Sequence, residues 1–364
     1  MHRTACLSPR DRNSALNLAE YRSGMERLNS KPQYVMVELT QGCNLSCPMC
    51  RPETLPYKGR TMSLDLFEKI ADSVFATAAM IDLRGWGESL LLPHIDYCVE
   101  RAVRSGAEVR FVTNLTMKAP PFDLLAGAAC HVAVSVDAVD HETYAMLRRG
   151  ADFDRLKSNL EALVKAYRLH GAPADRIVLT CTVTKPGLAS LPDLAAFAIE
   201  MGVPEVRLFE VFAEKGSALS LSGADEEVDA ALVAMRESVR DKAIKIVIGS
   251  RLGTMPLRNV GEAACLHPWA YILFAYDGGV GFCDHLNGPD GADYILGSLH
   301  ESNLEDIWNG PAWRQLRREH LGERRSNADN FRECAWCYKH RLVDFEHMFS
   351  PDMSQTLLTS KFGR

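Results

Sequence analysis

Apolar residues alternate with polar ones along most of the first 212 positions in two periods. Tyr34 to Leu39 (YVMVEL), Ile81 to Leu83, Glu108 to Thr113 (EVRFVT), His131 to Val136 (HVAVSV), Arg176 to Val183 (RIVLTCTV) and Glu205 to Phe212 (EVRLFEVF) are short apolar or period-two runs that predict strands. Between them Ser63 to Ala79, Pro93 to Ser105, His141 to Leu147 and Phe153 to His170 carry apolar residues at helical spacing, and Ser63 is a capping residue. Strands alternating with helices imply a parallel sheet with right-handed crossovers. Six such units suit an open partial barrel better than a closed eightfold one.

The pattern also marks boundaries. Residues 1–32 are polar and mixed, an N-terminal helix or arm. The barrel is expected over 33–222, closing in the small and polar stretch from Ala213 to Ala224 (AEKGSALSLSGA). A charged helix from Asp225 to Lys242 opens a linking region, 223–264, with the second domain starting near Ile244. That domain is expected over 265–340, followed by a tail, 341–364.

A chain of 364 residues with 47% hydrophobic content buries a full core, and a net charge of −6 without a dense basic window argues against a nucleic-acid surface. No apolar run has signal-peptide or membrane-span character, so no membrane partner and a cytoplasmic location are expected. Eleven cysteines in such a chain point to metal or redox chemistry rather than disulfides.

Three of them, Cys43, Cys47 and Cys50, lie in QGCNLSCPMCR directly after the first strand, where α/β folds place their chemistry. A loop this short presents three thiolates to adjacent corners of one iron–sulfur cubane and leaves a fourth iron open. Zinc sites usually take four ligands in pairs, and no fourth Cys or His follows nearby.

This loop resembles that of the radical S-adenosylmethionine (SAM) enzymes. The resemblance implies a (β/α)6 partial barrel and a 4Fe–4S cluster whose open iron chelates SAM. Downstream segments extend it. RGWGESLLLPH, with Gly85, Gly87 and Glu88, resembles the family's GxGEPLL segment, although Ser89 replaces the usual proline. Asn114 ends the third strand in VTNL, where relatives often carry TNG, and Ser135 and Asp137 end the fourth in SVDA. By resemblance these residues surround SAM, with Asp137 accepting from the ribose and Met49 packing near the adenine.

The last third carries Cys265 in CLHPW, Cys283 in DGGVGFC, and Cys334 with Cys337 in CAWC. A hairpin around Asp277 to Gly281 and a CxxC pair suit one further 4Fe–4S cluster, and a four-cysteine zinc site is the alternative. The stretch resembles the SPASM auxiliary-cluster domain in its shortened form, twitch, because no cysteine follows Cys337. The fold expected is therefore α/β, a partial (β/α)6 radical SAM barrel with a small α+β twitch domain, holding two 4Fe–4S clusters and SAM and served by an external one-electron reductant of flavodoxin or ferredoxin type.

In this family the SAM-bound cluster delivers an electron that cleaves SAM to methionine and a 5′-deoxyadenosyl radical, which takes hydrogen from the substrate. The short N-terminal arm leaves no room for a leader-peptide domain, which favours a small molecule. Analogy points to a carbinol of an aminoglycoside or aminocyclitol in antibiotic biosynthesis. Cys181, near the end of the fifth strand in LTCTVTK, is the candidate hydrogen donor for an epimerase; the bland reading is a small core residue. Arg207 and Glu210 are candidate substrate groups or members of salt bridges. The alternatives are dehydrogenation of the same carbinol to a ketone, a SPASM-like peptide maturase, and a noncatalytic iron–sulfur electron-transfer protein.

Overall fold

The computed structural model describes residues 7–50, 60–213, 216–248, 252–254, 265–283, 294–321, Cys334 and Ser360–Lys361. Its strands are β1 (Tyr34–Val37), β2 (Met80–Asp82), β3 (Glu108–Thr113), β4 (His131–Ser135), β5 (Ile177–Val183), β6 (Glu205–Glu210), β7 (Lys245–Ile248), β8 (Tyr271–Phe274), β9 (Gly279–Gly281), β10 (Ile295–Ser298) and β11 (Ser360–Lys361). The helices are α1 (Pro9–Arg22), α2 (Leu64–Ile70), α3 (Ile95–Arg104), α4 (Phe122–Gly127), α5 (His141–Leu147), α6 (Phe153–Leu169), α7 (Leu191–Glu200), α8 (Asp225–Ser238), α9 (His267–Ala270), α10 (Leu304–Trp308) and α11 (Pro311–Glu319).

Helix placement follows the periodicity. Ile95, Cys98, Val99 and Ala102 form the buried stripe of α3, and Leu156, Leu160, Leu163 and Tyr167 that of α6, whose start is capped by Asp152 accepting from Asp154 and Arg155 amides. Ser63 caps α2 as expected, but the helix ends at Ile70 and continues as a π-turn, Ala71–Phe75.

Among the described residues the strands form one eleven-stranded sheet in the order β10-β9-β8-β1-β2-β3-β4-β5-β6-β7-β11. β8 and β1 to β7 run parallel, whereas β9, β10 and β11 pair antiparallel. Two expectations are corrected here. Lys245–Ile248, read as the start of the second domain, is a parallel neighbour of β6, so the barrel sheet runs on past 222. The α8 segment is thus a crossover helix rather than a linker. Nor is the C-terminal sheet separate, because β8 extends the barrel sheet from β1 with Val35 opposite Ile272. Of the 341–364 tail only Ser360–Lys361 lies within the described residues.

The sheet has two unlike faces. On the helix-covered face Ile81, Phe111, Val134, Leu179, Cys181 and Leu208 join one large core with the helices. On the concave face Met36, Leu273 and Ala275 form a small separate apolar cluster, and charged residues stand between the strands: Arg110 is 3.7 Å from Asp82, and Arg207 is 2.5 Å from Glu205. That ion pair assigns Arg207 to barrel packing.

The N-terminal helix is bound to the C-terminal domain. Asn17 Nδ2 donates to the Trp269 carbonyl at 2.7 Å, and Trp269 Nε1 donates to the Met25 carbonyl at 2.8 Å. Arg317 of α11, fully buried, lies 4.5 Å from the Trp308 ring centroid and donates to the carbonyls of Pro268 and Glu26.

Candidate active site

The cysteine loop follows β1 and rests on the ends of its neighbours. Cys47 is buried, Cys43 half-buried and Cys50 exposed. Gly42 N–H donates to Thr40 Oγ1 at 2.9 Å, Cys50 N–H to the Cys47 carbonyl at 3.1 Å, and Ser46 N–H to the Arg149 carbonyl at 3.0 Å. Two donors point at the Cys43 sulfur, the Leu45 amide at 3.4 Å and Asn114 Nδ2 at 3.6 Å. Donors of this kind favour a thiolate over a thiol, so the loop fits a cluster ligand set. Among the described residues no three His, Cys, Asp or Glu side chains gather around one ion; thiolates bound to different irons of a cubane have no need to converge in that way.

The glycine segment after β2 is built onto this loop. Gly87 N–H donates to the Thr40 carbonyl at 3.1 Å and Glu88 N–H to the Gly42 carbonyl at 2.8 Å. A Cβ on Gly87 would stand 2.5 Å from the carbonyl oxygens of both Gly42 and Thr40, and one on Gly85 2.4 Å from Glu38 Cγ. The close approach that demands glycine here is to the cysteine loop itself. The Glu88 carboxylate turns inward: it accepts the Asn114 amide at 2.8 Å and the Leu90 amide at 3.4 Å. Burial pushes its pKa up to about 7, against the pull of those donors and of Arg148.

Asn114 also faces the cysteine loop. Its Nδ2 donates to Asn44 Oδ1 at 3.0 Å, its Oδ1 accepts from Thr116 N and Oγ1, and Asn44 Nδ2 donates to Thr116 Oγ1 at 3.0 Å. The next residue, Leu115, has φ 54°, in the region that favours glycine, which gives a physical reason for the TNG of relatives. Asn159 Nδ2 holds this turn by donating to the Leu115 carbonyl at 2.8 Å.

Asp137 is not placed as a ribose acceptor. Its carboxylate is wholly buried, with Oδ1 accepting the Thr182 amide at 2.8 Å and Oδ2 2.5 Å from Arg148 Nε. Arg148, which the sequence reading missed, closes α5 and lies against Cys47. Burial opposes its charge, but Asp137 and Cys47 outweigh this and raise its pKa. Burial likewise raises that of Cys47, with Arg148 opposing. Ser135 remains at the end of β4 on the concave face, opposite Thr180, and Met49 is half-buried against the core.

Cys181 lies away from the concave face. It shares the helix-covered face with Leu179, Val183 and its cross-strand neighbour Leu208, while Thr180 and Thr182 alternate onto the concave face. It is 1% exposed, its S–H reaches only the Asp137 carbonyl at 3.9 Å, and burial raises its pKa well above the ordinary thiol value. Cys98 and Cys130 are core thiols of the same kind.

In the C-terminal domain β8 and β9 form the expected hairpin, turning at Ala275–Gly278 with Gly278 at φ 87°. Cys265 and Cys283, both half-buried, flank it; Cys334 is buried, and Cys337 lies outside the described residues. Cys265 Sγ is 3.3 Å from His267 Nδ1.

Comparison with known proteins agrees with this arrangement. Residues 37–185 match the Radical SAM superfamily, and residues 265–338 match the iron–sulfur cluster-binding domain SPASM. Residues 37–185 thus carry a radical SAM domain and residues 265–338 a SPASM domain. The first domain takes a 4Fe–4S cluster and SAM, the second further iron–sulfur cluster, and radical SAM enzymes draw electrons from an external reductant.

The AdoMet-dependent heme synthase of Methanosarcina barkeri is 27% identical over 190 residues, 51% of this chain and 52% of the relative, so the chain spans about half the length of that protein. The PqqA peptide cyclase of Xanthomonas campestris is 24% identical over 300 residues, 79% of this chain and 76% of the relative. The crystal structure of Streptococcus suis SuiB bound to precursor peptide SuiA shares the fold, with a TM-score of 0.64 at 15% identity over 84% of this chain and 71% of that one. Among the described residues no helix is long and apolar enough to cross a membrane.

Proposed function

We propose that this enzyme modifies a peptide, with Cys43, Cys47 and Cys50 holding the SAM-binding cluster and Cys265, Cys283, Cys334 and Cys337 holding a single SPASM cluster. The observation that carries the reading is the extent of the match to the PqqA peptide cyclase, which runs over 79% of the chain, whereas the match to the heme synthase covers about half. The burial of Cys181 on the helix face supports it from the other side, since it leaves the epimerase reading without its donor.

When bound, the cluster and SAM supply a carbon radical able to remove hydrogen from an unactivated C–H bond. The chain's own residues do the positioning. The Leu45 amide and Asn114 Nδ2 steady Cys43, Arg148 steadies Cys47, and the backbone of Gly85 to Glu88 borders the SAM pocket together with Met49, Asn114 and Ser135. Asp137 supports Arg148 and the β5 backbone. Val112, Thr180, Thr182 and Phe209, part-exposed on the concave face, are offered to substrate.

The test is anaerobic incubation of the iron-loaded enzyme with SAM, dithionite and the product of a short open reading frame beside its gene. A SAM-dependent mass change in that peptide is expected. Conversion of an aminoglycoside or aminocyclitol with the peptide untouched would overturn the reading.

A further inference from the structure

Glu38 follows β1 and is completely buried. Its Oε1 accepts the Trp86 amide at 3.1 Å, while Oε2 accepts Gln41 Nε2 at 3.2 Å and the Tyr276 amide at 3.4 Å. Its own amide donates to the Phe274 carbonyl at 2.9 Å. These partners belong to three different segments: Gln41 opens the cysteine loop, Trp86 lies inside the glycine segment, and Tyr276 stands in the β8–β9 turn of the SPASM region. Gly85 lies directly on this side chain, where a Cβ would stand 2.4 Å from Cγ. A buried carboxylate facing several donors is costly to disturb, because each donor deprived of its acceptor stays desolvated.

We propose that Glu38 is a positioning residue of the SAM site, and that it is the link through which the SPASM hairpin sets the register between the cysteine loop and the glycine segment. One carboxylate fixes all three, so a shift of the β8–β9 turn reaches Trp86 and Gln41 through a single rigid group. The proposal rests on the reading that the cysteine loop and glycine segment form the SAM site.

The turn allows the link to be cut at one atom. Gly278 N–H donates to the Ala275 carbonyl at 2.9 Å, which makes Tyr276 the second residue of a four-residue turn. Proline is favoured at that position and removes the backbone donor while keeping the turn. Tyr276→Pro therefore deletes the hydrogen bond to Glu38, and Tyr276→Ala removes the ring but keeps the amide.

SAM binding to the iron-loaded, reduced enzyme is measured by equilibrium titration and by the change that SAM causes in the low-temperature EPR signal. Glu38→Gln, which turns a carboxamide NH2 toward one set of donors, should keep its iron and weaken SAM binding by about tenfold. Tyr276→Pro should weaken it severalfold while Tyr276→Ala does not, and in a Glu38→Ala background, where no side-chain acceptor remains, Tyr276→Pro should add nothing. Wild-type SAM affinity in Glu38→Gln, or equal affinities in Tyr276→Pro and Tyr276→Ala, would overturn the proposal. If Glu38→Gln fails to load iron, the two Tyr276 variants decide. Retention of SAM binding after replacement of Cys43, Cys47 and Cys50 would instead overturn the underlying assignment of the site.

Discussion

Asp137 and Arg148 form a buried ion pair, Oδ2 to Nε 2.5 Å, between the end of β4 and the end of α5. The pair stands behind Cys47, and the other carboxylate oxygen holds the Thr182 amide, so Asp137 braces the site from the helix side. Removing one partner of a buried pair leaves the other charge uncompensated, at a cost of about 3–5 kcal/mol. Asp137→Ala should therefore lower the urea midpoint of the enzyme markedly. An unchanged midpoint with weakened SAM binding would restore Asp137 to the ribose.

Gly87 permits the contact between two backbone segments. In Gly87→Ala the Cβ meets carbonyl oxygens of Gly42 and Thr40 at 2.5 Å, and neither is the end of a flexible side chain. Overpacking of this kind costs about 1–3 kcal/mol. Because the displaced group is the cysteine loop, the variant should also load less iron than wild type on anaerobic reconstitution, while the iron retained by Cys50→Ser gives the scale for loss of a single ligand.

Glu88 makes stability depend on pH. Its folded pKa of about 7 lies above its ordinary value of 4.5, because burial disfavours the carboxylate. Between these values the folded chain holds a proton that the unfolded chain has released. Stability is thus fully present below the ordinary value and falls as pH rises toward about 7, by about 2–4 kcal/mol. Urea unfolding of wild type across this range should show that slope, and Glu88→Gln should remove it.

Cys181→Ala tests the assignment of that thiol to the core. The substitution should cost about 1 kcal/mol of stability and leave turnover, and any incorporation of deuterium from heavy water, as in wild type. Loss of product deuterium in the variant would return Cys181 to the reaction.

Much of this was legible in the chain. Glu108–Thr113 and His141–Leu147 have the bounds their periodicity predicts, and the cysteine loop falls where the end of β1 should place chemistry. The face of Cys181 was also legible: in LTCTV it alternates with threonines and shares parity with Leu179 and Val183, but proximity to the strand's end outweighed that signal. Lys245–Ile248 was missed because a four-residue strand after a charged helix reads equally well as the start of a new unit. The partners of Glu38, Glu88 and Asp137 were beyond reach for a different reason. They join loops far apart in sequence, Glu38 to Tyr276 and Glu88 to Asn114, and only the sheet order brings those loops together.

The most direct test of the two-centre arrangement is the iron content and SAM cleavage of a variant in which Cys43, Cys47 and Cys50 are all alanine. Wild type should load about eight irons per chain, about four in each centre. The triple variant should keep about half of that iron, held by the C-terminal cysteines, and should cleave no SAM under reducing anaerobic conditions. SAM cleavage by the triple variant, or loss of all iron from a variant that still unfolds cooperatively, would contradict it.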